Sequence, residues 1–491
     1  MKRIISLCLA LLFVFSLLPA PEARAAGEVW DGTVDISWYD PEASEFRIST
    51  PAQLAGLAAL VNGMTDPACP GIIGDAKYLK SIPCEDYMLV GAGGGDVSDV
   101  VYLSEVDFAH KTVYLTADLD MGGVYDKVSG TWSGPNWTPI GGKFPMLPEE
   151  VNGDCLTLDT RFNGLLDGQG HTIRNLYCYR YAAKGFPYSM AIGIVGFLGG
   201  LGGINDDSTA VFEDGWQPGV RNLALVSGSI LGRRMVGGIV GRIGDTSHGV
   251  LVENCANFAS VHSTDAKGVG GIVGSAWGTG AIRGCYNAGT ISTTYSSPAG
   301  GIVGTNEGMD IYCCYNVGRI DTRGQERGRE IGSHDTGIYT VDNCLYLEGS
   351  GDDPRNPGYY KGASKRISVN VTGMSAEELR SEAALAVLNT DGAVFVPDTA
   401  GLNGGYPVLW FQVSARESVC SVTIRQPETG GTVSASLTGE GRFGETVILS
   451  AEAETGCSLE YFTVNGERIS ADRFTLTGRR RSPPCSSSCA P

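Results

Sequence analysis

Short apolar runs alternate with glycine, asparagine and serine turns through the middle of the chain, and one run returns almost unchanged. The sequence VGGIVG occupies residues 236–241 and 269–274, and AGGIVG occupies 299–304, at offsets of 33 and 30 residues. A second motif keeps the same phase, and its cysteines, spaced by 30, 29 and 30 residues, are Cys255, Cys285, Cys314 and Cys344. Two motifs at one period indicate a repeat protein whose units stack on one another.

Each unit of about 30 residues is too short to fold alone and carries no helical stripe. Three β-prone runs fill one unit, at residues 281–285, 289–293 and 300–304. Short strands that recur in phase predict that each run pairs with the same run one unit later. The expected fold class is therefore all-β, a right-handed parallel β-helix with three strands per coil. The handedness follows the general preference of parallel connections.

The repeated residue types predict how a coil is built. Isoleucine and valine of the GGIVG motif should fill the interior, and its paired glycines should bend the chain at positive φ. Asparagines at matching corners should stack amide on amide. The cysteine column should point inward as free thiols, because side chains stacked in parallel have the wrong torsion for a disulfide. A disulfide between coils and a metal ladder are the alternatives.

The first 25 residues have the pattern of a secretory signal peptide. A basic start precedes an apolar run from Ile4 to Leu18, and the small residues Ala23 and Ala25 frame a cleavage site. The run is shorter than the roughly 20 residues that span a bilayer, so export with cleavage near Ala25 is predicted. Cleavage removes three positive charges and one negative charge, which moves the formal charge from −18 to −20. Such a chain should repel nucleic acid.

Two helical patterns flank the repeats. The first begins at Thr50 and Pro51, where a hydroxyl can cap the helix and proline suits its first turn. The second spans 375–389 and opens with a capping box from Ser375 to Glu378. Solenoid ends expose unpaired backbone, so both helices are expected to cover the ends.

The last part of the chain differs from the repeats. Short strands around glycine turns predict a small antiparallel β module over 418–477. The Arg/Ser/Pro/Cys-rich tail, 478–491, indicates a frameshift or truncated gene model, the alternative being a basic tail that binds an acidic wall polymer. The chain therefore divides into a signal peptide (1–25), an N-terminal cap with an insertion (26–107), the β-helix (108–350), a C-terminal cap (351–415), the β module (418–477) and the tail (478–491).

The VGGIVG repeats resemble the GLUG motif of secreted and surface-attached bacterial proteins. Segments such as LTADLDMGG, FNGLLDGQGHTI and GYPVLW are similar to the flanks of such repeats in gut Firmicutes, so the resemblance covers roughly 28–412. The module at 418–477 resembles an internalin-type bacterial repeat. The resemblance implies an adhesin-like protein, or an accessory region of the kind found in IgA-cleaving metallopeptidases. It implies no particular activity.

Catalytic motifs were sought and none was found. A metallopeptidase needs His-Glu-x-x-His, and none of the five histidines is followed by glutamate. A carbohydrate-active enzyme on a β-helix is the rival hypothesis, but it needs carboxylates at one phase of successive coils. Asp118, Asp120 and Asp167 are the nearest candidates, and they fit turn capping better. No catalytic, cofactor or metal residue is assigned.

Ligand-binding candidates come from the insertions. Calcium could bind at Asp206-Asp207 or Asp352-Asp353, although solvated loop acids are the simpler explanation. Cys69 and Cys84 are the best disulfide pair by separation. Tryptophans on the long insertions could stack on glycans, and the candidates are Trp132, Trp137 and Trp216. A tryptophan in a loop rich in glycine and proline more often packs onto the solenoid surface, so no site is assigned to them.

We therefore expect a non-enzymatic secreted or cell-surface protein that presents loops to a host glycan or protein. The alternatives are a carbohydrate-active enzyme on the same scaffold and a fragment of a longer modular protein.

Overall fold

The computed structural model describes residues 28–62, 87–90, 99–102, 106–145, 157–180, 190–200, 210–265, 268–294, 298–322, 328–329, 331–334, 339–351, 359–360, 368–413, 419–422, 424, 426–427, 430–442, 446–464, 467–469, 473–475 and 486–490. Several predicted features lie outside these residues: the signal peptide, the Cys69–Cys84 pair, Asp206-Asp207, Asp352-Asp353 and residues 478–485.

The elements before the repeats are β1 (Glu45–Ile48), α1 (Pro51–Val61), β2 (Tyr87–Val90), β3 (Asp99–Tyr102), β4 (Thr112–Leu115), β5 (Leu119–Asp120), β6 (Val124–Asp126), β7 (Thr131–Ser133), β8 (Gly142–Pro145), β9 (Thr157–Thr160), β10 (Leu165–Asp167), β11 (Thr172–Arg174), β12 (Leu176–Tyr179), β13 (Met190–Ile192) and β14 (Val195–Leu198).

The repeats contain β15 (Gly219–Leu225), β16 (Gly228–Gly232), β17 (Arg234–Gly237), β18 (Val240–Ile243), β19 (Val250–Asn257), β20 (Ser260–Ser263), β21 (Val269–Gly270), β22 (Val273–Ala276), β23 (Gly280–Arg283), β24 (Tyr286–Asn287), β25 (Ile291–Thr293), β26 (Ala299–Gly300), β27 (Val303–Asn306), β28 (Asp310–Tyr312), β29 (Tyr315–Asn316), β30 (Ile320–Asp321), β31 (Gly328–Arg329), β32 (Gly332–His334) and β33 (Thr340–Leu347).

The chain continues with β34 (Tyr359–Tyr360), β35 (Ser368–Met374), α2 (Ala376–Leu379), α3 (Glu382–Leu388), β36 (Phe395–Val396), β37 (Val408–Leu409), α4 (Trp410–Val413), β38 (Val419–Val422), β39 (Gly431–Ala435), β40 (Gly439–Arg442), β41 (Thr446–Ala453), β42 (Ser458–Val464), β43 (Glu467–Ile469), β44 (Arg473–Thr475) and β45 (Ser486–Ala490).

The repeats form a parallel β-helix whose coils contribute to four sheets. In chain order, β19 lies in the thirteen-stranded sheet A, β20 in the five-stranded sheet B, β21 in the seven-stranded sheet C and β22 in the six-stranded sheet D. The same order then returns with β23, and the strands pair in parallel with those of the coil before. The all-β parallel β-helix is thus confirmed.

The predicted count of three strands per coil is wrong. The run at 300–304 is divided, because Gly300 ends β26 in sheet C and Val303 begins β27 in sheet D. The run at 281–285 ends in a corner after Arg283, and β24 then continues sheet A. Sheet A also begins before residue 108, since β1 pairs in parallel with β4.

The glycines of the GGIVG motif form a tight arch between sheets C and D. Positive φ is not the reason, because none of these glycines has a left-handed backbone, so this prediction is wrong. A Cβ on Gly270 would instead collide with the Val273 carbonyl, and a Cβ on Gly271 would collide with the Gly301 carbonyl and the Asn287 amide. The motif therefore needs glycine because backbone and amide groups approach closely there.

The cysteine column lies inside the solenoid, as predicted. Cys255, Cys285 and Cys314 are fully buried and Cys344 nearly so, and all four are free thiols. The Cys255 backbone N–H lies 3.4 Å from the Cys285 sulfur, and the thiols otherwise face backbone carbonyls. They pack in the same core as the GGIVG isoleucines and act as small apolar side chains.

Buried asparagines form a ladder along the corner between sheets A and B. The Asn257 Nδ2 donates to Asn287 Oδ1 at 2.8 Å, Asn287 donates to Asn316 at 2.8 Å, and Asn316 donates to Ser350 Oγ at 3.2 Å. Each asparagine also closes its own turn; Asn287 donates to the Gly289 carbonyl and accepts from the Gly289 N–H. The predicted amide stacking is confirmed.

The N-terminal helix forms where the sequence predicts it. Thr50 is the N-cap of α1 and exchanges hydrogen bonds with Gln53 in a capping box, with Pro51 at the start. Nearly the whole helix is buried in the solenoid core. At its end the fully buried Asn62 accepts from the Gly141 N–H and donates to the Pro139 carbonyl.

The predicted helix over 375–389 is two short helices, α2 and α3. The Ser375–Glu378 capping box is present. The hydroxyl of Ser381 donates to the Glu378 carbonyl at 2.6 Å, which closes the first helix, and Ser381 then becomes the N-cap of the second.

The segment from α2 to α4 packs along the side of sheet A, so its predicted role as an end cap is wrong. In five successive coils, the residue directly after the inward position of the cysteine column points outward, and this segment packs on those five residues. They are Ala224, Ala256, Tyr286, Tyr315 and Leu345. The rings of Tyr286 and Tyr315 stack at 5.0 Å, and Phe395 packs edge-on against Tyr315 at 5.5 Å. An apolar column on the outside of five coils thus selects a lateral position.

The C-terminal module is antiparallel, as predicted. The strands β39, β41 and β44 form one sheet, and Val433, Val447, Leu449 and Phe462 form its core. The prediction of an irregular tail is wrong over 486–490, because β45 pairs antiparallel with β42. The frameshift hypothesis stays a prediction. Among the described residues, no helix is both long enough and apolar enough to cross a bilayer.

Substitution of Asn287 by alanine should strongly destabilise the solenoid, because the buried Asn316 Oδ1 loses the Asn287 donor and the buried Asn257 Nδ2 loses one of its two acceptors. We expect a loss of roughly 2–4 kcal/mol in the free energy of unfolding, measured by chemical denaturation. Asn370→Ala is the control, since Asn370 is exposed and donates to Asp342 at the surface. Equal losses for the two variants would contradict the ladder's role.

The solenoid cysteines should resist alkylation until the protein unfolds. Burial raises the pKa of the Cys178 thiol to about 11 and raises the pKa of Cys255 and Cys314 well above its ordinary value, so little thiolate forms at these three sites. Desolvation is outweighed at Cys285, where hydrogen bonds from the neighbouring column thiols lower the pKa to about 5, but this sulfur is fully buried and a reagent in solution does not reach it. Iodoacetamide labelling read by peptide mass spectrometry should modify the half-buried Cys457 in the native protein and the column only in denaturant. Native labelling of Cys255 at the rate of Cys457 would show that the column is open to solvent.

Candidate functional site

The acidic candidates are engaged in structural hydrogen bonds. The Asp167 carboxylate is almost fully buried, and it accepts from Arg221 Nε at 2.9 Å and from Asn222 Nδ2 at 3.1 Å. Asp120 repeats this arrangement with Arg174 and Asn175, at 3.0 and 2.9 Å. The two carboxylates therefore tie one coil to the next, as turn and ladder residues.

Asp118 lies apart from Asp167. It accepts from the Thr172 N–H at 2.8 Å, and its Oδ1 lies 3.4 Å from His171 Nδ1. Asp118 and Asp120 thus face the coil that contains residues 171–175, whereas Asp167 faces the following coil at Arg221.

Charges of opposite sign alternate along the outside of sheet A. The parallel register places Asp167 beside Arg221, Arg221 beside Glu253, and Glu253 beside Arg283. Arg283 Nε donates to the Glu253 carboxylate at 2.8 Å, and only 4% of Glu253 is exposed. We call Asp167, Arg221, Glu253 and Arg283 the charge ladder.

The charges of the charge ladder neutralise one another, because each carboxylate accepts a hydrogen bond from an arginine of the next coil. Burial would lower the pKa of Arg221, yet the carboxylates of Asp167 and Glu253 raise it above its ordinary value. Glycoside hydrolysis needs two carboxylates with separate roles near one bond. In this column the carboxylates are separated by arginines, and each is held by a charge-assisted hydrogen bond.

Of the three tryptophan candidates, Trp137 belongs to the core. Only 1% of it is exposed, its ring meets Trp30 edge-on at 5.8 Å, and its Nε1 donates to the Ile194 carbonyl at 3.2 Å. Trp137 is therefore a packing residue and offers no face to a ligand.

Trp216 lies half-buried at the corner between sheets D and A. Its Nε1 donates to the Asn163 carbonyl at 2.8 Å, and its ring lies 5.5 Å from the ring of His110. His110 also packs edge-on against Phe212, and its Nδ1 lies 3.1 Å from the Asp214 carboxylate. Trp216 is thus tied into its own corner.

Trp132 lies on a hairpin that projects from the coil. Strands β6 and β7 pair antiparallel, with Trp132 directly opposite Tyr125 and their rings 5.6 Å apart. Asp126 holds the turn, because its carboxylate accepts from the Val128 N–H and the Ser129 hydroxyl, both at 2.8 Å. Tyr125 is 48% exposed and Val128 97% exposed, so the hairpin displays apolar groups to solvent.

The base of this hairpin rests on β12. Asn136 donates to the Tyr179 carbonyl at 3.1 Å and accepts from the Tyr179 N–H at 2.8 Å. Tyr177 and Tyr179 point outward from β12 with their rings 6.4 Å apart and nearly parallel, and 45% of Tyr179 is exposed. We call Tyr125, Trp132, Tyr177 and Tyr179 the aromatic platform.

Sequence reasoning missed the two tyrosines of the platform. The signal was available, because the pattern Leu176-Tyr177-Cys178-Tyr179 alternates and places Leu176 and Cys178 in the core. The sequence does not show that Asn136, at the base of the hairpin, is hydrogen-bonded to the backbone of Tyr179.

Hydroxyl groups continue this surface along sheet B. The register places Ser229 and Ser260 in the column of Tyr177, and Leu231, His262 and Ser292 in the column of Tyr179. His262 Nδ1 lies 2.8 Å from Ser292 Oγ, and its Nε2 lies 3.0 Å from Thr294 Oγ1. We call the polar members, Ser229, Ser260, His262, Ser292 and Thr294, the hydroxyl stripe.

Within the part of the chain that the structure describes, no three histidine, cysteine, aspartate or glutamate side chains are grouped as metal ligands. The predicted alternative of a metal ladder along the cysteine column has no support there.

No protein-family model matches this chain, and no curated protein is similar enough to match. Among solved structures it is similar to one described as a "putative immunoglobulin A1 protease" from Bacteroides ovatus, at 17% identity and a TM-score of 0.41, over 75% of this chain and 92% of that one. A likeness this distant carries no argument about function.

Arg221→Met should destabilise the protein by roughly 3 kcal/mol, because it leaves the buried Asp167 carboxylate without its charged partner. Thermal and chemical unfolding measure the effect. The control is Arg319→Met, which breaks an ion pair with Asp321 that is largely exposed, so less than about 1 kcal/mol is expected. A loss at Arg221 no larger than that at Arg319 would mean that the charge ladder contributes nothing to stability.

Proposed function

We propose that this chain is an exported, non-enzymatic interaction protein of the adhesin type, in which the β-helix holds an outward surface in place for a ligand. The proposal includes membership of the GLUG-motif surface proteins, supported by the VGGIVG repeats, and export, supported by the pattern of residues 1–25.

The charge ladder is the observation that carries the proposal. A β-helix enzyme of the lyase or glycosidase type would need carboxylates at one phase of successive coils on an outward face, and the charged column of sheet A is compared with that requirement. Here Asp167 and Glu253 alternate with Arg221 and Arg283, and the side chains bind one another. Carboxylates that are bound to arginines stabilise the stacking of the coils. Because they are not free to act as acid or base, they favour a binding scaffold over an enzyme.

The display of aromatic side chains supports binding. The hairpin β6–β7 contributes no side chain to the core, since its residues are exposed apart from the half-buried Trp132. A hairpin on its own is marginally stable, and this one is fixed at its base by Asn136. Exposed apolar groups on a rigid support are typical of interaction sites.

Binding and turnover can be measured on the same protein. The mature chain, beginning at Ala26, is applied to an array of polysaccharides, mucin-type glycans and matrix proteins, and the same polysaccharides are assayed for new reducing ends. We expect saturable binding to at least one ligand and no product.

Asp167→Asn keeps the shape of the side chain and tests the enzyme alternative. We expect this variant to bind as the wild type does, once its folding has been checked by circular dichroism. Product formation by the wild type that Asp167→Asn abolishes would replace the proposal with the carbohydrate-active enzyme.

A further inference from the structure

The outward tyrosines of β12 and the hydroxyl stripe form one continuous row on sheet B, and the hairpin with Tyr125 and Trp132 is hydrogen-bonded to the end of that row through Asn136. The parallel register joins Tyr177 to Ser229 and Ser229 to Ser260. The surface therefore runs along the solenoid axis, with aromatic rings at one end and small polar groups beyond.

We infer that this surface binds a chain of neutral sugars, lying along sheet B with at least one ring against the aromatic platform. This inference rests on the proposed function and names its ligand class and its site.

The chemistry of the surface matches that of a sugar ring. A pyranose has an apolar C–H face, which stacks on an aromatic ring, and a rim of hydroxyls, which exchange hydrogen bonds. Tyr125, Trp132 and Tyr179 offer aromatic surface. The stripe supplies hydroxyl groups that both donate and accept.

His262 prepares two of these hydroxyls for binding. Its two ring nitrogens lie within hydrogen-bonding distance of Ser292 and Thr294. In the neutral imidazole one nitrogen donates and the other accepts, so the ring orients one hydroxyl as an acceptor and the other as a donor. Oriented hydroxyls reduce the entropy lost on binding.

The charges around the surface favour a neutral ligand. The two outward columns carry no acidic residue and no lysine or arginine from Tyr177 and Tyr179 until Asp321, and Asp321 pairs with Arg319 at 3.0 Å. At the neighbouring edge, Arg233 and Arg234 both donate to Asp265, at 2.8 and 3.0 Å. Because the whole chain carries a formal charge of −18, an anionic polymer would also be repelled at longer range.

The shape of the surface favours a linear ligand over a protein. Successive coils repeat the same positions about every 4.8 Å along the axis, which suits a polymer that repeats its own hydroxyls. Beyond the platform, Leu231 is the one apolar side chain among the named members of the two columns. A stable protein interface needs a larger apolar centre than this stripe offers.

The test measures binding of soluble neutral polysaccharides by affinity electrophoresis and isothermal titration calorimetry. The probes are xylan, mannan, galactan, β-glucan and starch, with polygalacturonate and a sulfated glycan as anionic probes. We expect at least one neutral probe to bind. Trp132→Ala and Tyr179→Ala should each weaken its Kd roughly tenfold or more.

Two further variants locate the site. Ser260→Arg places a long charged side chain in the stripe two coils away from Tyr177, and it should weaken binding of the same probe. Trp216→Ala removes a tryptophan of similar burial at the corner between sheets D and A, and it should bind as the wild type does. Circular dichroism and Tm verify that each variant is folded.

Failure of every neutral probe, or preferential binding of an anionic probe, would overturn the inference. So would neutral binding that all three surface variants retain. If a matrix protein binds in the array while no polysaccharide does, the proposed function stands and this site is wrong. If a bound polysaccharide is cleaved, the proposed function itself fails.

Discussion

Parallel stacking in register is the constraint on which the rest of this molecule depends. Every coil is hydrogen-bonded to the one before it, so a residue type at one phase of the repeat meets the residues at the same phase above and below. A side chain is therefore tolerated only if it can be stacked as a column. Thiols satisfy this condition by packing. Asparagine amides satisfy it because each donates to the next in the column, as Asn257 does to Asn287 and Asn287 to Asn316.

Charged side chains meet the same constraint in another way. Like charges spaced by one coil would repel strongly, particularly when buried. Sheet A alternates the sign, so that Glu253 lies between Arg221 and Arg283. Sheet B instead keeps its outward columns uncharged over several coils. The outward columns of sheets A and B thus have different chemistry, and the uncharged columns of sheet B are the ones that we propose as a binding surface.

The glycines of the GGIVG arch are required by contacts with other parts of the coil and with the next coil. The arch between sheets C and D lies so close to the asparagine ladder that a Cβ on Gly271 would collide with the Asn287 side chain and with the Gly301 carbonyl of the next coil. The asparagine ladder therefore fits only where the motif has glycine. A binding surface built on such a support is rigid, which limits the entropy lost when a ligand binds.

The sequence by itself determined the period, the inward cysteine column, the asparagine stacking and both helix starts, because each follows from local spacing or from capping chemistry. The tertiary structure decided what no local pattern contains. It divided the coil among four sheets, because the chain turns within the GGIVG motif, which the sequence pattern had predicted to be a single strand. It laid the segment from α2 to α4 along the outward column of Tyr286 and Tyr315, and it buried Trp137. It also joined Asn136, at the base of the Trp132 hairpin, to Tyr179, because contacts between residues far apart in the chain arise only when the coils are stacked.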